Sequence, residues 1–526
     1  MSALRRRRLD ACAAVLALLV TFIGLRWNTR VAAGADAYGY VSQVDLWLRG
    51  NLHLDQDFAA TVPWPNPRWS FAPLGYVPAP ASQEIVPQYP AGLPLLMAAA
   101  RVAFGYCAIF WVVPLCGGAL VLATYAIGCR IERPGVGLAA AWLVATSPAM
   151  LFMLVTPMSD VPAAAAWTIA IACALGGTVA GAAAAGAAAA VALLIRPNLV
   201  VLALIIGVWL ALRGAMKMLA FGAIASFGAI AVGAINARLY GSPLRSGYDL
   251  TDGFAIAYLW PNIQRYGAWL MAAETPLPVA GLVALAVSSA ALWPTAAARR
   301  AQWLLAATAA AVWIFYLLYV PWDAWWYLRF LLPAWPPMAI GGAALAGLVA
   351  RSGRRQYLAA IAALVAVGLH GIVAAKRRAV FDVARGEAKY VDVARVVDAV
   401  TDPDAVIISA QHSGSLRYYA GRLTVRWDTG DPAWLDRMAE WLAAHGHHPY
   451  VVVEPQEIAD LRARYGQKSR LARLDWTPMV VFPIGGVQLF DAVRHQRGGT
   501  PVEQRSKGAI HECFEQKPPP QLRRIR

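Results

Sequence analysis

The chain has 526 residues, of which 59% are hydrophobic and only 14% charged, with a mean hydropathy of +0.50. That leaves too little polar surface to cover a soluble globule and points to a polytopic membrane protein. A net charge of +16 would suggest nucleic acid in a soluble protein, yet Lys and Arg gather in short clusters between apolar runs, the pattern that sets membrane topology, so no nucleic-acid partner is expected.

The basic cluster Arg5 to Arg8 precedes an apolar run from Leu9 to Leu25. No A-x-A-like site ends that run cleanly, so it is read as an uncleaved first span, at about residues 10–29. Next comes GADAYGYVSQVDLWLRG, Gly34 to Gly50, whose Tyr40, Val44, Trp47 and Leu48 recur at helical spacing. This segment is expected to lie along the membrane surface with Asp36 held at one end. The loop it belongs to, about residues 30–90 and rich in Pro, Trp and Tyr, is too long for a mere connector.

A crossing helix needs about 20 apolar residues, and that ruler gives about eleven crossings. After an interfacial helix from Leu93 to Phe104, spans are expected at about 107–129, 136–155, 161–177, 179–195, 198–212, 218–237, 276–293, 302–320, 330–349 and 356–374. With Arg5 to Arg8 inside, the loops carrying Arg130 and Arg133, Arg213 and Lys217, Arg299 and Arg300, and Arg351, Arg354 and Arg355 all fall inside, as the positive-inside rule requires. The outer face then receives Asp36, the TPMSD turn with Asp160, Arg196, the loop from Tyr240 to about Glu274, and WDAWWYLR ending at Arg329.

From about residue 380 to 495 charges spread evenly and apolar runs shorten. AVIISA, LTVRWD and YVVVE read as strands between the helical stretches VDVARVVDAV, WLDRMAEWLAAHG and EIADLRARYG, which implies a small external α/β domain. The tail 496–526 is basic and is expected to be disordered. Cys12, Cys107, Cys116, Cys129 and Cys173 lie in or beside apolar runs and Cys513 in the tail, with no metal-ligand spacing, so core filler and one free thiol are expected.

Asp36 and Asp160 are carboxylates at the outer ends of apolar helices, where a bundle brings loops together. For Asp160 an N-cap role in SDVP is the competing reading. Arg196, before the helix-breaking Pro197, and Arg329, after Trp322, Trp325, Trp326 and Tyr327, either snorkel outward or grip a phosphate. The aromatic run itself reads as an interface belt ahead of a sugar platform. Arg245 and Tyr248 form a third polar pair on this face. Ser409, His412, Ser413 and Ser415 in SAQHSGSLRYYAGR lack the Gly-x-Ser-x-Gly elbow of a hydrolase and read as a strand-to-helix turn closing the layer. No phosphate-binding loop, dinucleotide fingerprint or H-E-x-x-H motif occurs.

GADAYGY after the first span, YPAGLPLLMAAARVAFG, TPMSDVPAAAAW, RPN and WWYLRFLLPAWP, in this order and on one side, resemble bacterial glycosyltransferase family 39 members of the GT-C superfamily, the protein mannosyltransferase-like and aminoarabinose transferase-like group. The resemblance covers about residues 10–375, with the C-terminal domain matched only as the kind of soluble appendage such proteins carry. It implies a mainly α, GT-C-like bundle at 1–379 in a bacterial inner membrane, N-terminus cytoplasmic and the 380–495 domain periplasmic. The implied activity is transfer of a sugar, with inversion, from a polyprenyl-phosphate lipid to a glycan, lipid or protein hydroxyl on the external face. Asp36 matches the family's first-loop catalytic acid and Asp160 its second acid, although the family's Asp-Glu is here Asp36-Ala37. Arg196 and Arg329 are assigned to the lipid phosphate on charge and position, Tyr38, Tyr89, Arg245 and Tyr248 to substrate, and a divalent cation beside Asp160 stays open. The rival readings are a transporter or flippase of lipid-linked sugars, disfavoured by polar residues crowding one side rather than the midplane, and a noncatalytic scaffold.

Overall fold

The computed structural model describes residues 3–80, 82–248, 253–494, 502–503 and 513–515. The membrane region comprises α1 (Ala3–Trp27), α2 (Asp36–Arg49), a short α3 (Pro67–Ser70), α4 (Gly92–Phe104), α5 (Val112–Arg130), α6 (Pro134–Thr146), α7 (Pro148–Leu154), α8 (Asp160–Ala174) and α9 (Val179–Ile195). It continues through α10 (Val200–Ala211), α11 (Ala215–Tyr240), α12 (Leu259–Ala273), α13 (Leu277–Ala286), α14 (Ala296–Leu317), α15 (Trp335–Val349) and α16 (Arg354–Arg377). Among the described residues six helices are long and apolar enough to cross a membrane, or seven if α6 and α7, bent by 63°, make one span. The expected spans at 161–177, 179–195, 198–212 and 276–293 fall on shorter apolar helices, so helix length alone does not reach about eleven. The chain breaks them where it has Gly176 and Gly177, the latter at φ +73°, and at Arg196 before Pro197.

Small residues let the helices approach. A Cβ on Gly128 of α5 would lie 2.1 Å from Gly137 of α6, and one on Gly281 of α13 would lie 2.0 Å from the Met338 carbonyl of α15. The basic ends of the bundle are tied to one another, Arg133 donating to the Leu292 carbonyl and Arg351 to that of Ala291.

Beyond α17 (Val383–Glu387) and α18 (Lys389–Val400) lies a six-stranded sheet of order β4-β3-β5-β7-β6-β8. Its first half is parallel, β3 (Val406–Ile408) pairing with β4 (Leu423–Val425) and β5 (Pro449–Val453). β7 (Gln488–Asp491) then runs antiparallel to both β5 and β6 (Val480–Val481), and β8 (Val502–Glu503) closes the edge. A separate hairpin, β1 (Tyr76–Pro78) with β2 (Ile85–Pro87), crosses the first loop. The expected helices of this domain are α18, α20 (Leu435–Ala444) and α21 (Pro455–Tyr465), with the three-residue α19 (Ser413–Ser415) after β3.

The sheet domain packs directly on the first loop, and one apolar core runs through both. α2 is therefore buried from Ala37 to Leu46, polar Ser42, Gln43 and Asp45 included, instead of lying on the membrane surface. The cover comes from the turn after β3: Gly414 packs so tightly on the Tyr38 ring that a Cβ would lie 2.2 Å from it, and Ser413 Oγ accepts from the Leu74 amide at 3.1 Å. Arg417 donates to the Phe71 carbonyl at 2.6 Å and to Gln56 Oε1 at 3.0 Å. Ala32 N–H donates to the Tyr419 hydroxyl at 2.7 Å. Ser409, His412, Ser413 and Ser415 are all buried, with Ser413 at the docking contact.

The cysteine expectation needs correction. Cys107 and Cys513 form a disulfide, so Cys513 is not a free thiol. Beside it Tyr106 donates to the Phe514 carbonyl at 2.7 Å and Arg395 lies over the Phe514 ring. Most of the tail, to which disorder was assigned, lies outside the described residues.

Candidate active site

Asp36 opens α2 and Tyr40 follows one turn later, so the two share a helix face that Tyr38 does not. Asp36 Oδ1 accepts from the Tyr89 hydroxyl at 2.5 Å, and Oδ2 accepts from Arg329 Nη2 at 3.0 Å. The Tyr89 ring lies against Tyr40, centroids 4.9 Å apart, and against Gly39, where a Cβ would come within 2.3 Å of it. Tyr40 in turn donates to Ser159 Oγ at 2.9 Å, which carries the site to the second carboxylate.

Asp160 is the first residue of α8, yet it caps nothing. Ser159 occupies the cap position without a capping bond, and Asp160 Oδ1 accepts from Arg196 Nη2 at 2.7 Å; the same nitrogen reaches Ser159 Oγ at 3.2 Å. Arg196 arrives there because the ladder of α9 stops before Pro197, leaving Arg196 at φ −148° and ψ 80°. Arg329 comes from a tight helical run, Trp325–Ala334, where its guanidinium faces the Tyr327 and Phe330 rings and Nη1 touches Met158 Sδ at 3.3 Å.

The result is two Asp–Arg pairs joined through Tyr40 and Ser159. They differ in access: the Asp160 side chain is 1% exposed and that of Asp36 31%, so Asp36 is the more accessible carboxylate. Three polar atoms of the pairs, Asp160 Oδ2, Arg196 Nη1 and Arg329 Nε, are buried with no hydrogen-bond partner in the protein. Buried groups of this kind are costly unless a ligand meets them.

The substrate candidates divide. Tyr89 is in the site, and the Tyr248 ring packs on it at 5.9 Å. Tyr38 turns instead to Tyr76 and Tyr418, at 5.6 and 6.3 Å between rings, as an interface residue. Arg245 is exposed, and no described contact ties it to either carboxylate. Tyr40 and Ser159 were not singled out from the sequence as polar groups of the site; their signals are the spacing of four from Asp36 and adjacency to Asp160. Asn198, which donates to the Tyr316 hydroxyl at 3.2 Å beside Phe330, lies in the RPN stretch. Among the described residues no three His, Cys, Asp or Glu side chains gather to hold a metal ion, and both acids are committed to arginines.

The apolar helices define a multi-pass membrane protein with a GT-C-like fold. No family model matches the chain, and no curated protein is similar to it in sequence. The likeness is to solved structures. ArnT from Cupriavidus metallidurans superposes with a TM-score of 0.54 at 16% identity in the apo state, over 94% of this chain and 100% of that one. Bound to undecaprenyl phosphate, it gives 0.52 at 14% identity, over 93% and 99%. The oligosaccharyltransferase AglB from Archaeoglobus fulgidus, in complex with an inhibitory peptide and a dolichol-phosphate, gives 0.55 at 12% identity, over 93% of this chain and 75% of that one.

Proposed function

We propose that the protein is a membrane glycosyltransferase that moves a sugar from a polyprenyl-phosphate lipid to an acceptor hydroxyl on the external face of a bacterial inner membrane, with inversion. The observation that carries this reading is the pair of Asp–Arg couples at the outer ends of apolar helices, with three buried polar atoms unmet by the protein. ArnT bound to undecaprenyl phosphate and AglB bound to a dolichol-phosphate supply the class of donor.

The lipid phosphate is gripped by Arg329 and Arg196, whose free Nε and Nη1 are donors of the right kind. Once the phosphate draws Arg329 toward itself, Asp36 Oδ2 is released to accept the proton of the acceptor hydroxyl. The acceptor's hydroxyl oxygen attacks C1 of the sugar, the bond from C1 to the phosphate oxygen breaks, and polyprenyl phosphate leaves with its negative charge stabilised by the arginines. Asp160, itself buried, holds the Arg196 guanidinium in place for the phosphate through Oδ1. An external site is supported by the Cys107–Cys513 disulfide at the same end of the bundle, since such bonds persist in oxidising compartments.

The test is transfer of radiolabelled sugar from a panel of polyprenyl-phosphate sugars by purified protein in lipid, wild type beside Asp36→Asn. Transfer that vanishes in the folded variant supports both the reaction and the base. A broad acceptor extract that consumes no donor sinks the reaction class.

A further inference from the structure

Glu274 takes no part in the pairs just described, yet it is 7% exposed at the end of α12, beside the break between α6 and α7. Its Oε1 accepts from the Ser147 hydroxyl at 2.7 Å and from the Ala149 amide at 3.1 Å. Ser147 Oγ in turn accepts from the Met150 amide and from Trp335 Nε1 at 2.9 Å. One carboxylate oxygen therefore ties together three separate stretches of chain.

Two of those stretches lead to the site. From Ser147 the half-helix α7, about 10 Å long at 1.5 Å per residue, carries Phe152 onto Trp326, the Val155 carbonyl onto the Thr29 amide, and then Met158, Ser159 and Asp160. Trp335 directly follows the run Trp325–Ala334 that bears Arg329. The acid Asp160 and the arginine Arg329 thus hang from the same knot at their inner ends, while Met158 and Arg329 meet at 3.3 Å at their outer ends.

We propose that Glu274 is a positioning residue that sets the placement of the Met158–Asp160 turn and of Arg329 by anchoring Ser147 and, through it, Trp335. This rests on the glycosyltransferase reading for what the placement achieves. Glu274→Gln keeps an oxygen that accepts both hydrogen bonds, whereas Glu274→Met removes it with similar bulk. Glu274→Met raises the donor KM about tenfold, because a small displacement of phosphate-holding groups is felt strongly, and leaves the acceptor KM unchanged. Glu274→Gln restores the wild-type donor KM, and Trp335→Phe gives a smaller rise than Glu274→Met.

Hydrogen exchange gives a readout free of turnover. In Glu274→Met the amides of 155–160 and 325–334 exchange faster while those of β3 to β5 do not change. Unchanged exchange in both segments, or donor and acceptor KM moving together, overturns the proposal. Faster exchange in a protein whose wild type transfers no sugar from any donor leaves the anchor standing and removes the glycosyltransferase reading instead.

Discussion

Asp36 and Arg329 are 293 residues apart in the chain and 3.0 Å apart in the fold. A carboxylate already held by a guanidinium is a poor base, so the geometry predicts ordered binding, donor before acceptor. Arg329→Lys keeps the charge and loses the fork, so it is expected to raise donor KM about tenfold with a smaller effect on kcat. Asp36→Asn is expected to lower kcat by about a hundred- to ten-thousand-fold with donor binding retained. Initial-rate patterns and direct binding of the donor check both; random-order kinetics would contradict the release of Asp36 by the phosphate.

Gly39 is the point at which the site is sensitive to a single carbon. A Cβ there falls 2.3 Å from the Tyr89 ring, and Tyr89 is what holds Asp36 Oδ1. Gly39→Ala is expected to cost about 1–3 kcal/mol by overpacking and to lower kcat more than Tyr89→Phe does, since it moves the ring and not only the hydroxyl. Melting and turnover of the two variants measured side by side decide it.

The sheet domain carries opposed titrations. Burial pushes the Glu457 carboxyl up to about 7, in spite of the Gln411 and Glu454 amides it accepts from. A folded value above the unfolded 4.5 means a stabilising contribution that is complete below 4.5 and lost as pH rises through about 7. Burial holds His412 below its usual 6.5, which works the other way, its contribution being present above 6.5 and lost as pH falls. Glu454 is tugged upward by burial, but His412 and Lys389 outweigh it and hold it at about 2, so its contribution is lost only in strong acid. Glu457→Gln is therefore expected to melt with the wild type at pH 4.5 and above it at pH 8, by about 1–3 kcal/mol. Equal melting at both pH values would contradict this balance.

The Cys107–Cys513 bond closes a loop across 406 positions and joins the tail to the bundle. Digestion without reductant should yield one peptide containing both cysteines. Cys513→Ser is expected to lower stability by about 2–4 kcal/mol and to expose the tail to protease. Digestion that releases the two cysteines separately would deny the bond.

Much of this was legible because apolar runs and charges announce themselves. The ends of the helices could be located, and with them Asp36, Asp160, Arg196 and Arg329, since charged residues there stand out against a composition so poor in charge. Which acid meets which arginine was not legible, because spacing along the chain says nothing about pairing across 293 residues. Substrate falls to Tyr38 on sequence grounds while Tyr40 counts among the apolar positions, although the helical period alone separates their faces. The burial of α2 was missed because its cover comes from Gly414 and Tyr419, in a domain whose docking leaves no local pattern. Glu274 carries no signal in the sequence for the same reason: its partners, Ser147 and Trp335, are remote in the chain.

The Ala32 amide ends on the hydroxyl of Tyr419, and the stretch between them and Asp36 holds Gly34, against which the Tyr390 hydroxyl lies. A nascent chain has made Asp36 long before either tyrosine exists. The clamp that fixes the backbone ahead of Asp36 closes only after residue 419 has been synthesised, delivered to the same side and folded into its sheet. Setting of the site thereby waits on the sheet domain, and a chain truncated before residue 419 is expected to lack the clamp ahead of Asp36.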